Sequence, residues 1–143
     1  MITYRAEARH IDVLWPYAEP LLNKAIKRTI GEVGLEDVKK WLKEGRQQLW
    51  LILDEEEQEI IVAFTTEIYI YPNHRHLRGH LWGAKRNTIK KWLDIWSEPV
   101  EKFCKENNIS HIETAGRDGW TRVLKDKGYK KYYTVLVKEI GND

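Results

Sequence analysis

Gly116-Arg117-Asp118-Gly119-Trp120-Thr121-Arg122-Val123-Leu124-Lys125-Asp126-Lys127-Gly128-Tyr129 lies between two runs of strand composition, His111 to Ala115 before it and Tyr132 to Ile140 after it. Gly119 to Lys127 reads as a short helix, with Asp118 placed to cap its first turn and Trp120 placed to pack on a sheet. Strand, short helix, Gly-aromatic pair and strand form an α/β ending, and the elements upstream have to supply the rest of the sheet.

Working outward, Thr88 to Asn107 reads as the longest helix, with Ile89, Trp92, Leu93, Trp96, Val100, Phe103 and Cys104 on its buried face. Pro99 inside it removes a backbone donor, which predicts a kink. His76 to Trp82 is a strand that returns after a Pro72-Asn73 turn. Glu59 to Tyr71 is a long strand whose alternation sends Ile60, Val62, Phe64, Thr66, Ile68 and Ile70 to one face. Glu59, Ala63, Thr65, Glu67, Tyr69 and Tyr71 go to the other. Gln48 to Asp54 is its hairpin partner across the acidic turn Asp54-Glu55-Glu56-Glu57. At the start of the chain Ile2 to Arg5 is a strand. Asp12 to Thr29 has helical spacing, with Pro16 and Pro20 delaying the regular helix. Leu35 to Glu44 is a second helix stopped by Gly45. The order predicts a single α/β domain over residues 1–143, with a mixed, mostly antiparallel sheet and helices on both faces.

Composition agrees with that outline. A chain of 143 residues, 42% hydrophobic and 32% charged, suits one domain with one sizeable core. No apolar run reaches the roughly 18–20 residues of a membrane-spanning helix, so no membrane partner is expected. A formal charge of +2 argues against a general nucleic-acid binder. The lone Cys104 has no partner for an intramolecular disulfide, which suits a reducing cytoplasm. Seven Trp and seven Tyr are read mainly as core and strand residues.

The element order resembles the GNAT acetyltransferase superfamily over essentially the whole chain. Within it, Leu77-Arg78-Gly79-His80-Leu81-Trp82-Gly83-Ala84, then a helix, then Ile112-Glu113-Thr114-Ala115 and the Gly116–Tyr129 stretch look like the small GNAT-like proteins encoded by tailed phages. The resemblance implies acetyl-CoA as cosubstrate, an amine acceptor on a small molecule or protein, and transfer of the acetyl group to nitrogen. Its alternative is a GNAT-fold phage protein without turnover, a virion component or a module that contacts a host protein partner.

The resemblance further implies a cofactor cleft where the strand ending near Trp82 parts from the strand beginning at His111. The pyrophosphate would then lie at the start of the helix near Thr88, where unpaired N–H groups favour an anion. The cofactor-binding set is Leu81, Trp82, Gly83, Ala84, Lys85, Arg86, Asn87 and Thr88, joined by Arg117. Gly83 and Ala84 allow close backbone approach, Lys85 and Arg86 bring charge, and Asn87 or Thr88 can cap. No acidic residue occurs between Ile68 and Leu93, whereas Arg75, Arg78, Lys85, Arg86, Lys90 and Lys91 do. Two departures from the family pattern stand beside this. His80 and Lys85 occupy loop positions where Arg or Gln and a small residue are usual. Leu124 and Arg117 stand where a proton-donating Tyr and an Asn are usual.

For chemistry, Glu67 is the candidate general base, and Tyr129 takes the acid role that Leu124 cannot fill, with Tyr132 and Tyr133 as further hydroxyls. Backbone N–H groups at the parted strands could polarise the thioester carbonyl. His74, His76, His80 and Trp82 alternate onto one strand face with Arg78. Strand spacing sets successive histidines about 7 Å apart, so no metal site is expected. His111 and His10 carry no signal by themselves.

Overall fold

The computed structural model describes residues 1–141. Among them five strands form one sheet in chain order: β1 (Ile2–Ala6), β2 (Gln47–Asp54), β3 (Glu59–Ile70), β4 (Arg75–Ala84) and β5 (His111–Thr114). The first four pair antiparallel, while β4 and β5 run parallel. Parallel neighbours need a crossover rather than a tight turn, and here it is helical. The helices are α1 (Ile11–Ile26), preceded by a 3-10 turn at Ala8–His10, α2 (Leu35–Lys43), α3 (Ile89–Trp92), α4 (Ser97–Glu106) and α5 (Gly119–Lys125). Among the described residues no helix is long and apolar enough to cross a membrane.

The period-two alternation of the strands builds a core on each face. Leu49 and Leu51 of β2, Ala63 and Leu81 face α1 and α2, where they meet Ile11, Trp15, Leu22, Val38 and Leu42. Trp50, Ile52, Val62, Phe64 and Leu77 face the other way, onto Trp92, Trp96, Val100, Cys104 and Leu124. Each large apolar side chain removed from water in this way contributes about 1.5–3 kcal/mol. The second core is aromatic: Phe64 stacks on Trp82 at 4.1 Å between centroids, and Trp82 meets Trp92 and Trp96 at 5.4 Å each and Trp120 at 6.2 Å. All seven tryptophans lie in or against one of the two cores. The tyrosines divide: Tyr4 and Tyr129 pack, whereas Tyr17, Tyr71, Tyr132 and Tyr133 are exposed.

Two register shifts correct the simple alternation. Ile52 faces Val62 but Leu53 faces Ile60, so Ile61 is an extra residue, and Ile60 packs on the α1/α2 side instead of beside Val62. In β4, Phe64 faces Trp82 and Thr66 faces Gly79, so His80 and Leu81 together oppose Thr65. Such a bulge advances the face by one residue. Trp82 therefore points into the aromatic core and not along the row of His76 and Arg78.

The helices differ from expectation at their prolines. α1 runs unbroken from Ile11 through both Pro16 and Pro20. Both prolines are exposed, as are Asp12 and Pro16, whose carbonyls they leave free, so water can satisfy those groups. The helix expected from Thr88 to Asn107 is instead two, α3 and α4, separated by a turn. Pro99 is the third residue of α4, where its missing N–H has no helical partner to lose. The carbonyl of Ile95, four residues earlier, accepts the Thr3 hydroxyl of β1 at 3.2 Å.

The run from Tyr132 to Ile140 is not a strand: residues 130–141 have no ladder, and Tyr132, Tyr133, Val135, Leu136, Val137 and Ile140 are exposed. Their β-branched and aromatic composition is right for a strand, but a strand exists only through a hydrogen-bonded neighbour. β5 pairs with β4 alone. The sheet thus ends at a four-residue edge strand.

Candidate active site

β4 and β5 share a ladder only over His76–Gly79 and His111–Thr114. β4 then runs on to Ala84 with no strand on that side. The sheet therefore opens beyond Gly79, beside the bulge at His80 and Leu81. An unpaired strand edge presents N–H and C=O groups that an extended, amide-bearing ligand can meet. On the opposite flank the bulge is closed against β3, where the Leu81 N–H donates to the Thr65 hydroxyl at 3.1 Å.

The bulge turns His80 toward Gln47 and Glu67, which face each other across β2 and β3. The buried amide of Gln47 donates one hydrogen to Glu67 Oε1 at 3.0 Å and the other to His80 Nδ1 at 3.3 Å. His80 Nδ1 is therefore the acceptor, and the network assigns the ring proton to Nε2. Arg46 Nε lies 3.5 Å from the same Glu67 oxygen, with its guanidinium over the Trp41 ring at 4.4 Å. Burial, together with the nearby Arg78 charge, lowers the His80 imidazole below its ordinary value despite the opposing pull of Glu67. His80 is thus neutral near pH 7. Glu67 is half-buried, held from one side and open to take a proton from an amine directly or through water.

The proposed cofactor residues are spread along this open edge and its loop. Leu81 is core, and Trp82 is half-buried in the aromatic cluster with its Nε1 lacking a partner. Gly83 serves helix packing: a Cβ there would sit 1.9 Å from the carbonyl oxygen of Leu21 in α1. Its open side is filled by that helix. The Ala84 carbonyl accepts Lys24 Nζ at 3.2 Å. Lys85 pairs with Glu59 at 2.6 Å, and its N–H donates to Ile61 at 2.7 Å. Asn87 adopts a left-handed φ of 60°. Thr88 is buried and gives its hydroxyl to the Lys85 carbonyl at 2.6 Å while accepting Trp92 Nε1 at 3.1 Å. Lys91 pairs with the buried Asp54 at 3.3 Å. Among the described residues Arg86 and Lys90 have no ion pair, so the free positive charge of the loop is theirs. The helix that follows Thr88 is a single turn.

On the other side of the opening, Arg117 is exposed. Asp118 stands at the N-cap of α5 without a capping hydrogen bond, in helical dihedrals, and its carboxylate meets Lys131 at 3.6 Å. Gly116 is explained by Trp120, whose ring would lie 3.0 Å from a Cβ at that position. Leu124 is buried in the aromatic core. Tyr129 joins that core against Trp96 at 6.2 Å, and burial pushes its hydroxyl well above the ordinary range. Glu67 and Tyr129 consequently lie on opposite faces of the sheet and are not brought together. The histidines do not form one row either. His80 belongs to the bulge, whereas His74 and His76 gather with His111 at the far end of β4.

The sequence pattern marks neither Gln47 nor the half-buried position of His80. The signal for both was register: a regular ladder from Asp54 opposite Glu59 would bring Gln47 opposite Thr66, and the extra residue at Ile61 moves its partner to Glu67.

No protein-family model matches the chain, and no curated protein matches it in sequence. Solved structures do match it in fold. The predicted acetyltransferase of Clostridium acetobutylicum, solved with acetyl-CoA, aligns with 96% of this chain and 95% of its own at a TM-score of 0.66 and 14% identity. An aminoglycoside acetyltransferase from an uncultured soil metagenomic sample, in complex with sisomicin, aligns over 98% and 96% at 0.69 and 10% identity. A GNAT family acetyltransferase of Staphylococcus aureus aligns over 97% and 98% at 0.61 and 17% identity. The chain has the fold of the GNAT acetyltransferases.

Proposed function

We propose that the chain is an acyl-CoA-dependent N-acyltransferase that moves an acetyl group from acetyl-CoA to an amine of a small molecule or protein. The observation that carries this reading is the parting of β4 from β5 beside a bulge that sets His80 next to Glu67. The unpaired β4 edge from Leu81 to Ala84 would receive the amide-bearing arm of the cosubstrate. Arg86 and Lys90, free of ion pairs among the described residues, would meet its phosphates, with Lys85, Asn87 and Thr88 shaping the loop and Arg117 approaching from the side of α5. The fold supports this assignment, since structures of the same fold were solved with acetyl-CoA, in the Clostridium protein, and with sisomicin, in the metagenomic aminoglycoside acetyltransferase.

In the reaction the amine nitrogen attacks the thioester carbonyl carbon, the C–S bond breaks, and the amide and CoA thiol are the products. Glu67 takes the proton lost by the nitrogen, directly or through water. Gln47 and Arg46 hold the carboxylate in place for that step. Tyr129 packs in the aromatic core on the opposite face from Glu67, and with Leu124 in the place of a donor the departing thiolate would take its proton from solvent.

Thiol release from acetyl-CoA, followed with a panel of amines, tests the assignment of the base. Glu67→Gln is expected to lower kcat by about 10²–10⁴ while leaving acetyl-CoA affinity unchanged. Full turnover in that variant would remove Glu67 from the chemistry.

A further inference from the structure

We propose that His74, His76 and His111 form a binding site for a borderline divalent transition metal, with Zn²⁺ as its natural occupant, separate from the opening between β4 and β5. The three side chains each offer one nitrogen, and these nitrogens all lie within 4.8 Å of one another. His76 Nε2 and His74 Nδ1 are 3.4 Å apart. Two nitrogens bound tetrahedrally to zinc at about 2.0–2.1 Å are separated by about 3.3 Å, so this pair already has the spacing of a chelate. The His111 ring lies 4.3 Å from that of His74 and 4.8 Å from that of His76, centroid to centroid. His74 and His111 are exposed, so their rings can close the remaining distance without displacing the core.

The backbone that presents these rings is fixed from three directions. The Tyr71 N–H donates to the His74 carbonyl at 2.8 Å, which closes the turn before β4. His76 and His111 are directly opposed in the parallel ladder, and the Ser110 N–H donates to the Arg75 carbonyl at 3.0 Å. Strand spacing had set the β4 histidines too far apart for one centre. That reasoning fails for His74 because it lies in the turn rather than on the strand, and it did not include His111 from the neighbouring strand.

The surroundings select the ligating atoms. The Ser110 hydroxyl donates to the Arg75 carbonyl at 3.4 Å and so accepts from His111 Nδ1 at 2.7 Å, leaving the His111 Nε2 lone pair for a metal. His76 Nδ1 is buried without a hydrogen-bond partner and faces Glu113 Oε1 at 3.6 Å. A metal on His76 Nε2 would put the ring proton on Nδ1, aimed at that carboxylate. This is the carboxylate-histidine-metal arrangement that orients imidazole ligands. Glu113 is itself held by the Tyr71 hydroxyl at 2.9 Å. The nearby Arg78 guanidinium is drawn to Tyr69, donating to its hydroxyl at 3.1 Å. Three imidazoles and no thiolate suit zinc, nickel or copper over calcium or magnesium. The exposed side leaves a fourth position for water or a ligand.

Calorimetric titration of tag-free protein with zinc chloride tests the site. One equivalent of saturable binding is expected, together with a rise in Tm and, for the cobalt-loaded protein, the visible absorption of a four-coordinate centre. Glu113→Gln should weaken binding by roughly 10–100-fold. His74→Ala and His111→Ala should each weaken it further, with circular dichroism and metal-free Tm as in the native chain. His74→Gln and His111→Gln replace them if either alanine variant fails to fold. No saturable binding to the native protein, or equal binding in the His74 and His111 variants, would overturn the proposal.

Discussion

A methyl group on Gly83 would collide with the Leu21 carbonyl at 1.9 Å, so the absence of a side chain there sets how closely α1 can lie on β4. Gly83→Ala has no flexible neighbour to displace, because the obstacle is helix backbone. Urea denaturation should show a loss of about 1–3 kcal/mol, and unchanged stability would mean that α1 packs further from the sheet than described. His80 gives a second test at this scale. Its folded-state value lies below the ordinary one because of burial, so the unfolded chain binds that proton more readily. The sign follows: stability rises with pH through this group and is lost as pH falls below about 6.5. His80→Gln should flatten the stability curve between about pH 7 and 5. An unaltered slope in that window would contradict the burial of the ring.

Among the elements, residues 130–141 are the clearest departure from pattern. They carry strand-like composition, yet among the described residues they make no backbone hydrogen bond, whereas β2 and β3 are paired along their length. Amide hydrogen exchange should find 131–141 near the unprotected rate and β2 and β3 among the slowest positions. Slow exchange at Val135 to Val137 in dilute monomer would show that the segment pairs after all. The contrast explains what the sequence could disclose. Leu49 to Ile52 and Val62 to Phe64 announce strands because they are unbroken apolar runs, as burial on both faces requires. The Tyr132–Ile140 run has a similar composition, but pairing is a property of neighbours. Pro99 was legible as an interruption, while the split into α3 and α4 also depended on Thr3, ninety-two residues from Ile95, taking the free carbonyl. For the site, Glu67 could be picked out as a polar residue in a long apolar strand. Its partners Gln47 and His80 were hidden behind register and a bulge, which a single residue offsets.

At the scale of the whole molecule, the two cores hold a sheet that is closed from β1 to β4 and open between the ends of β4 and β5. α1 and α2 cover one face and α3 to α5 the other, and under the proposed function the opening is where acyl-CoA would meet β4 backbone, with Arg86 and Lys90 for its phosphates. The polar face that continues along β4 past Arg78 to His76 leads away from it. Titration of the protein with acetyl-CoA in a calorimeter tests directly whether this opening binds acyl-CoA. Saturable binding of one equivalent is expected, weakened by Arg86→Glu, with CoA thiol released once an accepted amine is added. No binding heat at millimolar acetyl-CoA, the protein being folded, would contradict it.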